Sequence, residues 1–505
     1  MALVRSATAP AVQDASPSTG VSSRSPSASI VRGALALLST QPITWAASAL
    51  AAIITPRFLG DQALGAFAYA WTIAGLAGVF VTLGVPEYLV RRVANRRAEI
   101  DSVGGAALVL VVGVAALAAV ALALVLPLLG YPAGDVALLR WALIGMVAVS
   151  AQALLLSLLR AQEHHGRFAW LNAGGVVMSN AACVAALIMG GGVAAYAAAI
   201  ALTQVTATVM IWYTSGFRIR RASFAPALLR QLARGGIPFL GWSVALRFRM
   251  EVDKLLLGIL AGAAVIGWYA AAYRIIGVTV FIPTLITTPL LPALSRYQGD
   301  RSVFDQTLRR CVVAALFLMV PICAVTVAVA PAIPGLLHWP DAFDNSIPLM
   351  MILSLQMPLV AVDMVIGTGL IALHRERAWL VVALVAAGCN VLANVLLITL
   401  FQRSTGNGAL GAAFATLATE FVMVAGALIL LPRGIINGQV LRTGGAIILA
   451  GACLSAVTYS LLRFSLPLAV AAGGGTFLLV GAALRVYRPN KIWAMRDQAI
   501  RSLVR

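Results

Sequence analysis

Charged residues are scarce in this sequence. Only 10% of the 505 residues are Asp, Glu, Lys or Arg, whereas 61% are hydrophobic. Soluble domains average about 25% charged and about 45–50% apolar residues. A soluble chain of this length could not cover its surface with so few charges, which excludes an ordinary cytosolic enzyme, a disordered protein and a disulfide-stapled secreted domain. The composition indicates a polytopic membrane protein.

Cysteines and catalytic motifs are also few. The five cysteines all fall in apolar stretches, which favours small buried hydrophobes over disulfides or metal ligands. No HExxH, Walker A or nucleophile-elbow motif occurs in the chain. We therefore predict that the protein is not an enzyme and has no catalytic residue, no metal site and no cofactor.

Apolar stretches long enough to cross about 30 Å of hydrocarbon recur along the chain. The sequence predicts fourteen such spans, at residues 31–55, 66–90, 105–129, 137–159, 169–189, 193–213, 238–260, 268–294, 311–333, 347–372, 379–400, 409–431, 443–462 and 466–486. The fold class expected is therefore an all-α polytopic membrane protein.

The basic residues orient these spans. Lys and Arg total 36 against 17 Asp and Glu, and most of them fall in the tails and the even-numbered connections. Arg57, Arg140, Arg403 and Arg463 alone fall in the odd-numbered connections. Because positive charge marks cytoplasmic loops, both termini are predicted to be cytoplasmic, and no nucleic-acid partner is needed to explain the basic balance.

An internal repeat divides the predicted spans. The pattern of Gly60, Gly65, Phe67, Ala70 and Trp71 returns 202 residues later as Gly262, Gly267, Tyr269, Ala272 and Tyr273. The copies are six spans apart, so both enter the membrane in the same direction. This predicts two parallel pseudo-twofold six-helix lobes with a substrate site between them, followed by two C-terminal helices.

The expected domains follow from the spans and the repeat. They are a disordered cytoplasmic tail at 1–29, an N-lobe at 30–213, a basic cytoplasmic linker at 214–236, a C-lobe at 237–432, spans thirteen and fourteen at 433–487, and a basic cytoplasmic tail at 488–505. The linker could also be an amphipathic helix lying on anionic lipid.

Several motifs resemble those of a known family. They are Pro56-Arg-Phe-Leu-Gly60 leading into Gly65, Gly84-Val-Pro-Glu87 before Arg91-Arg92, Asp253-Lys-Leu-Leu-Leu-Gly258 leading into Gly267, and Gly408-Ala-Leu-Gly411. With fourteen spans and short loops, the chain resembles Wzx-type oligosaccharide flippases of the multidrug/oligosaccharidyl-lipid/polysaccharide (MOP) exporter superfamily.

The resemblance implies a function. It implies that the protein flips undecaprenyl-diphosphate-linked oligosaccharide repeat units across a bacterial inner membrane by alternating access, for surface or secreted polysaccharide. The partners it implies are the lipid-linked oligosaccharide, membrane lipids, and the polysaccharide polymerase and chain-length machinery. Alternatives are a multidrug or cation antiporter of the same superfamily and a membrane-embedded glycan polymerase or glycosyltransferase.

Five charges concentrate in predicted span seven. At about 100° per residue, Arg247, Glu251 and Lys254 share one helix face, and Arg249 and Asp253 share the opposite face. Since a charge inside the bilayer costs several kcal/mol, such residues are candidates for function. We predict that Arg247 and Lys254 bind the cargo diphosphate, with Arg274 of span eight as a third contact.

Structural explanations compete with these functional ones. Arg247 with Glu251 and Arg249 with Asp253 could be ion pairs along the helix, the interpretation favoured for the second pair. Asp363 and Glu420 are each the lone carboxylate in a long apolar stretch. They could take up a proton during transport, or they could be neutral acids that form hydrogen bonds with Asn390 or Asn394. Two further assignments concern the ends of spans: Glu87 with Arg91 is predicted to be a structural pair or gate latch, and Arg57 an outer gate or a residue snorkelling to the interface.

Overall fold

A computed structural model describes residues 26–95, 100–128, 130–162, 165–215, 219, 221–277, 279, 281–297 and 299–486. Helices make up almost all of these ranges, and no strand occurs in them. The α-helices are α1 (Pro26–Val81), α2 (Val85–Asn95), α3 (Ile100–Leu128), α4 (Val136–Ala161), α5 (His165–Ile188), α6 (Gly192–Ser215), α7 (Pro226–Leu260), α8 (Ala263–Gly277), α9 (Phe281–Arg296), α10 (Arg301–Val329), α11 (Ile333–Leu336), α12 (Ile347–Ala372), α13 (Glu376–Thr405), α14 (Gly408–Leu430), α15 (Gly438–Leu461) and α16 (Leu466–Ala483).

The helices confirm a polytopic all-α membrane protein. Within the described residues, eleven helices are long and apolar enough to cross a membrane, or twelve when the bent pair of α8 and α9 counts as one span. A helix satisfies its own backbone hydrogen bonds, which hydrocarbon cannot do for it. Fourteen spans are compatible with this count, because α1 contains one predicted span and most of a second, and the charges of α7 lower its mean hydropathy.

Several predicted boundaries differ from the structure. Span one and most of span two form the single element α1, and the end of span two lies in the turn at 82–84 and in α2. The backbone of α1 leaves the helical region at Gly60 (φ 71°, ψ 176°), so the break that separates its two helices is one residue long. Helix α7 begins at Pro226, within the predicted linker, and continues through Pro238. Predicted span eight is divided between α8 and α9. The apolar stretches predict which parts of the chain are membrane helices. The exact ends of the helices depend on the backbone angles of single residues such as Gly60.

The two halves of the repeat touch each other reciprocally. A Cβ added at Gly65 would overlap the carbonyl of Ala263, and one at Gly267 would overlap the carbonyl of Asp61. Ala263 follows Asp61 by the same 202 residues that separate Gly267 from Gly65. The start of α8 and the part of α1 after Gly60 therefore cross at backbone contact, which only glycine allows at these two positions.

The lobes meet again at the opposite end of the bundle. Gly84, at φ 66°, lies against the backbone of Gly236, and the ring of Tyr88 packs on Gly235. By the predicted topology this contact is at the cytoplasmic end, and the crossing of Gly65 and Gly267 is at the outer end. The lobes are thus in backbone contact at both ends.

The last two membrane helices pack on the side of the bundle. Helices α15 and α16 lie against each other and on α10, with Ile447, Leu454 and Phe477 in a small core shared with Val320. The predicted tails at 1–29 and 488–505 lie largely or wholly outside the described residues, and the predicted domain limits stay predictions.

Candidate translocation site

The first charged face of α7 is a compact ion cluster. Glu251 accepts an ion pair from Arg247 at 3.3 Å and another from Lys254, and Thr72 of α1 donates to it at 3.3 Å. The side chain of Arg247 is 43% exposed, that of Lys254 24% and that of Glu251 12%. The two cations and one carboxylate give the cluster a net charge of about +1, and Arg247 is its most exposed member.

Arg247 lines a cavity of about 460 Å³ between α7 and the N-lobe helices. The cavity has a polar side formed by Glu87, Arg160, Gln204, Ser150, Ser243 and Arg247, and an apolar side with Trp71, Met146 and Leu156. A Cβ at Gly75 would lie 2.5 Å from Arg247 Nη2, so glycine leaves the space that the guanidinium occupies. The cavity has the volume of sites that hold drug-sized ligands.

The opposite face of α7 packs on the C-lobe, where Asp253 is buried and the Arg249 side chain is 30% exposed. Arg249 donates to Glu420 of α14 at 2.5 Å, and Asp253 accepts hydrogen bonds from Tyr269 at 2.7 Å, Thr416 at 2.8 Å and Asn394 at 2.8 Å. The predicted ion pair between Arg249 and Asp253 is wrong. Each of the two charged groups has its partners on other helices. Asp253 accepts three hydrogen bonds there, more than a single ion pair along α7 would provide.

The predicted hydrogen bond between Glu420 and Asn390 or Asn394 is not formed. The Glu420 carboxylate pairs with Arg249, whereas Asn390 donates to Thr419 and Asn394 to Asp253. Asp363 of α12 is 3% exposed and lines a separate cavity of about 220 Å³ together with Arg249. One oxygen each of Asp363 and Glu420 has no hydrogen-bond partner among the described residues. Two carboxyl groups therefore share the surroundings of one guanidinium.

The remaining candidates lie apart from the ion cluster. Arg274 donates to Tyr196 of α6 at 3.4 Å and is absent from the lining of the 460 Å³ cavity, as is Lys254. Glu87 lines that cavity, but it forms no ion pair with Arg91, and both are exposed. The predicted Glu87–Arg91 pair is therefore not formed. Arg57 is exposed.

Several residues of the site escaped sequence reasoning. Thr72, Arg160 and Gln204 carry no motif, and each reaches the site through helix packing. Tyr269 could have been found, because it is a matched aromatic of the internal repeat, and its hydroxyl binds Asp253. The five cysteines lie on α5, α10, α13 and α15, but only Cys183 and Cys323 are buried, so the expectation of five buried thiols is wrong for the others.

The structure is a bundle of membrane helices with a charged helix, α7, beside a cavity between its halves. The fold is similar to that of the lipid II flippase MurJ in an inward closed conformation, at a TM-score of 0.70 and 15% identity over 89% of this chain and 98% of that one. It is also similar to an inward-facing multidrug resistance MATE family transporter of the MOP superfamily, at 0.61 and 16% over 78% and 97%. A MOP superfamily transporter from Pyrococcus furiosus, described as having a binding pocket of reversed polarity, matches at 0.51 and 18% over 80% and 94%.

Family models add sequence information to this likeness. The model of the polysaccharide biosynthesis protein family matches residues 30–298, and the MatE model matches residues 238–396. No curated protein matches the chain in sequence. The chain belongs to the polysaccharide biosynthesis protein family.

Proposed function

We propose that this protein flips undecaprenyl-diphosphate-linked oligosaccharide repeat units from the cytoplasmic to the outer leaflet of a bacterial inner membrane. The units would serve surface or secreted polysaccharide, and a polymerase and chain-length machinery would act on them afterwards. The match to the polysaccharide biosynthesis family supports the polysaccharide route. The observation that carries the proposal is the exposed Arg247 guanidinium in a cavity between the lobes.

The diphosphate is the part of the cargo that this cavity suits. Arg247 uses part of its planar donor fork on Glu251, and its exposed N–H groups are free to bind phosphate oxygens bidentately. The net positive cluster and Arg160 favour an anion, and a dianionic group would draw Lys254 away from Glu251. Arg274 stays a predicted third contact, to be reached only if the lobes move.

Alternating access follows from the two contacts between the lobes. An occluded cargo can leave only if the contact of Gly65 and Gly267 opens, and a new cargo can enter only if the contact of Gly84 and Gly236 opens. Both contacts are closed in this structure, as expected of a state between the two openings. Asp363 and Glu420 stay predicted as groups whose protonation drives the change, because each has an unpartnered oxygen beside Arg249.

A complementation experiment tests the proposal. The gene is deleted in its native host and replaced by wild type, Arg247→Ala or Arg247→Glu at matched protein levels. We expect Arg247→Ala to lower surface polysaccharide at least about tenfold, because a hydrogen bond to a charged group contributes about 1.5–3 kcal/mol. Arg247→Glu should abolish it, with lipid-linked intermediates accumulating in the cytoplasmic leaflet. Arg140→Ala, which removes an exposed cation of α4 outside the cavity, is the matched control and should behave as wild type.

The antiporter alternative has one observation in its favour, the exposed carboxylate of Glu87 in the same cavity. A cation antiporter would need that carboxylate and would tolerate loss of Arg247. Normal polysaccharide with altered tolerance to cationic drugs in the deletion strain would reject the flippase and support the antiporter.

A further inference from the structure

A second pocket lies on α10, α15 and α16, away from the translocation cavity. It has a volume of about 560 Å³ and shares no lining residue with the cavity of Arg247. Its polar wall consists of Gln306, Arg309, Arg310, Asn437, Gln439 and Thr443, and its apolar wall of Val313, Ala314, Phe317, Val440 and Val486. By the predicted topology these residues lie at the cytoplasmic ends of their helices.

The two arginines of this pocket are differently engaged. Arg309 donates to the carbonyls of Ile435 and Gly434, at 2.6 Å each, and thereby holds the turn that precedes α15. Arg310 is exposed and forms no ion pair or hydrogen bond with the described residues. Among the described residues, no carboxylate lines the pocket. One cation is therefore free to bind a ligand while its neighbour shapes the wall.

The start of α15 adds donors to the same wall. Asn437 caps the helix by accepting from the backbone N–H of Val440 at 3.0 Å. The N–H groups of the first turn ahead of Val440 have no partner within the helix, and the positive end of its dipole favours an anion beside Arg310. Gln439 and Thr443 offer further polar groups on that side.

The lining residues on α10 change from polar to apolar with depth. From Gln306 to Phe317 the helix rises about 16 Å, at about 1.5 Å per residue, which leads from the interface into the hydrocarbon. Val313, Phe317 and Val486 surround the small core that α15 and α16 share with α10. A ligand that fits must be anionic at one end and a hydrocarbon chain at the other.

We propose that this pocket binds an anionic phospholipid of the cytoplasmic leaflet. Its phosphate would lie between Arg310 and the first turn of α15, with an acyl chain along Val313 and Phe317. Basic pockets between membrane helices on the cytoplasmic side bind such head groups. The lipid would join α15 and α16 to the C-lobe by filling the gap between α10 and the end of α16.

Lipid titration of the full-length protein tests this site. Purified protein in a neutral detergent is titrated with phosphatidylglycerol, phosphatidylcholine or inorganic phosphate, and bound lipid is followed by native mass spectrometry and by the shift in melting temperature. We expect phosphatidylglycerol alone to bind and to raise the melting temperature. Arg310→Ala should weaken that binding about fivefold, the effect of one near-surface cation on an anionic lipid, and Arg310→Lys should retain most of it.

Arg442→Ala is the matched control, because Arg442 is an exposed cation of the same end of α15 that does not line the pocket. It should leave phosphatidylglycerol binding unchanged. Equal weakening by Arg310→Ala and Arg442→Ala, or equal binding of phosphatidylcholine, would overturn the proposal. If only inorganic phosphate raised the melting temperature, the ligand of the pocket would be a free anion and the lipid proposal would be rejected. Because the pocket shares no residue with the cavity of Arg247, none of these outcomes depends on the transported cargo.

Discussion

The two charged faces of α7 are one helix in two environments. On the face toward the cavity, Arg247, Glu251 and Lys254 pair with one another along the helix and stay partly exposed. On the face toward the C-lobe, Arg249 and Asp253 form no ion pair with each other. Their partners come from other helices. The difference lies in the carboxylates. Glu420 and Asp253 are 5% and 4% exposed and take their partners from other helices, whereas Glu251, at 12%, is paired with two cations of its own helix that solvent also reaches.

The largest effect is expected from breaking the buried ion pair. Arg249→Met leaves Glu420 buried without its cation, and we expect a loss of about 3–5 kcal/mol in the free energy of unfolding, because an uncompensated charge remains in the C-lobe. Denaturant unfolding of the purified protein in detergent measures the loss.

The double variant Arg249→Met with Glu420→Gln is the control for this prediction. It removes the unpaired charge and keeps the volume of the side chain, so it should recover at least half of the lost stability. A loss below about 1 kcal/mol in the single variant would mean that the pair is as weak as an exposed one, contrary to the comparison.

A smaller effect is expected at Asp253. Asp253→Ala removes the acceptor of three donors, yet Thr416 keeps its bond to the carbonyl of Ala412 and Asn394 keeps one to that of Asn390. Only Tyr269 loses its main acceptor, so we expect a loss of about 1–3 kcal/mol, the cost of one unsatisfied buried group. Thermal unfolding tests this. Asp253→Asn retains an acceptor oxygen and should lose less, and a loss equal to that of Asp253→Ala would show that the charge matters more than the hydrogen bonds.

The smallest effect on stability is expected on the cavity face. Glu251→Gln removes the carboxylate between Arg247 and Lys254, but both cations that remain are partly exposed, so it should change the free energy of unfolding by less than about 1 kcal/mol. The cavity would gain positive charge, so binding of inorganic diphosphate, measured by calorimetry, should become tighter. Weaker diphosphate binding, or destabilisation as large as in Asp253→Ala, would remove the contrast between the two faces.

The site was predictable where it depends on one helix and not where it depends on several. The spacing of Arg247, Glu251 and Lys254 predicts a common face, and in the structure the three side chains form one ion cluster. The pairing of Arg249 with Glu420 joins residues 171 positions apart, and no local spacing encodes it. Glu87 and Arg91 have the spacing of a pair and form none, because both are exposed and water competes with the pair.

The fold followed the same division. Apolar stretches predicted a polytopic helical bundle, and the two glycine motifs at an offset of 202 predicted equivalent halves. The reciprocal backbone contact between Gly65 and Ala263 and between Gly267 and Asp61 could not be derived from those motifs, because a motif states which residue is small and not what lies against it. A helix break of one residue, as at Gly60, likewise cannot be predicted from hydropathy, which is averaged over many residues.

The sequence by itself determined that this chain is a membrane protein of many helices, and that α7 carries two charged faces. Both follow from composition and from helical periodicity, which depend on neighbouring residues alone. Tertiary structure decided which charges meet, with Glu251 between two cations beside a cavity and Glu420 bound to Arg249 inside the C-lobe. Burial removes water as a partner, and the packing of distant helices then selects which side chain replaces it.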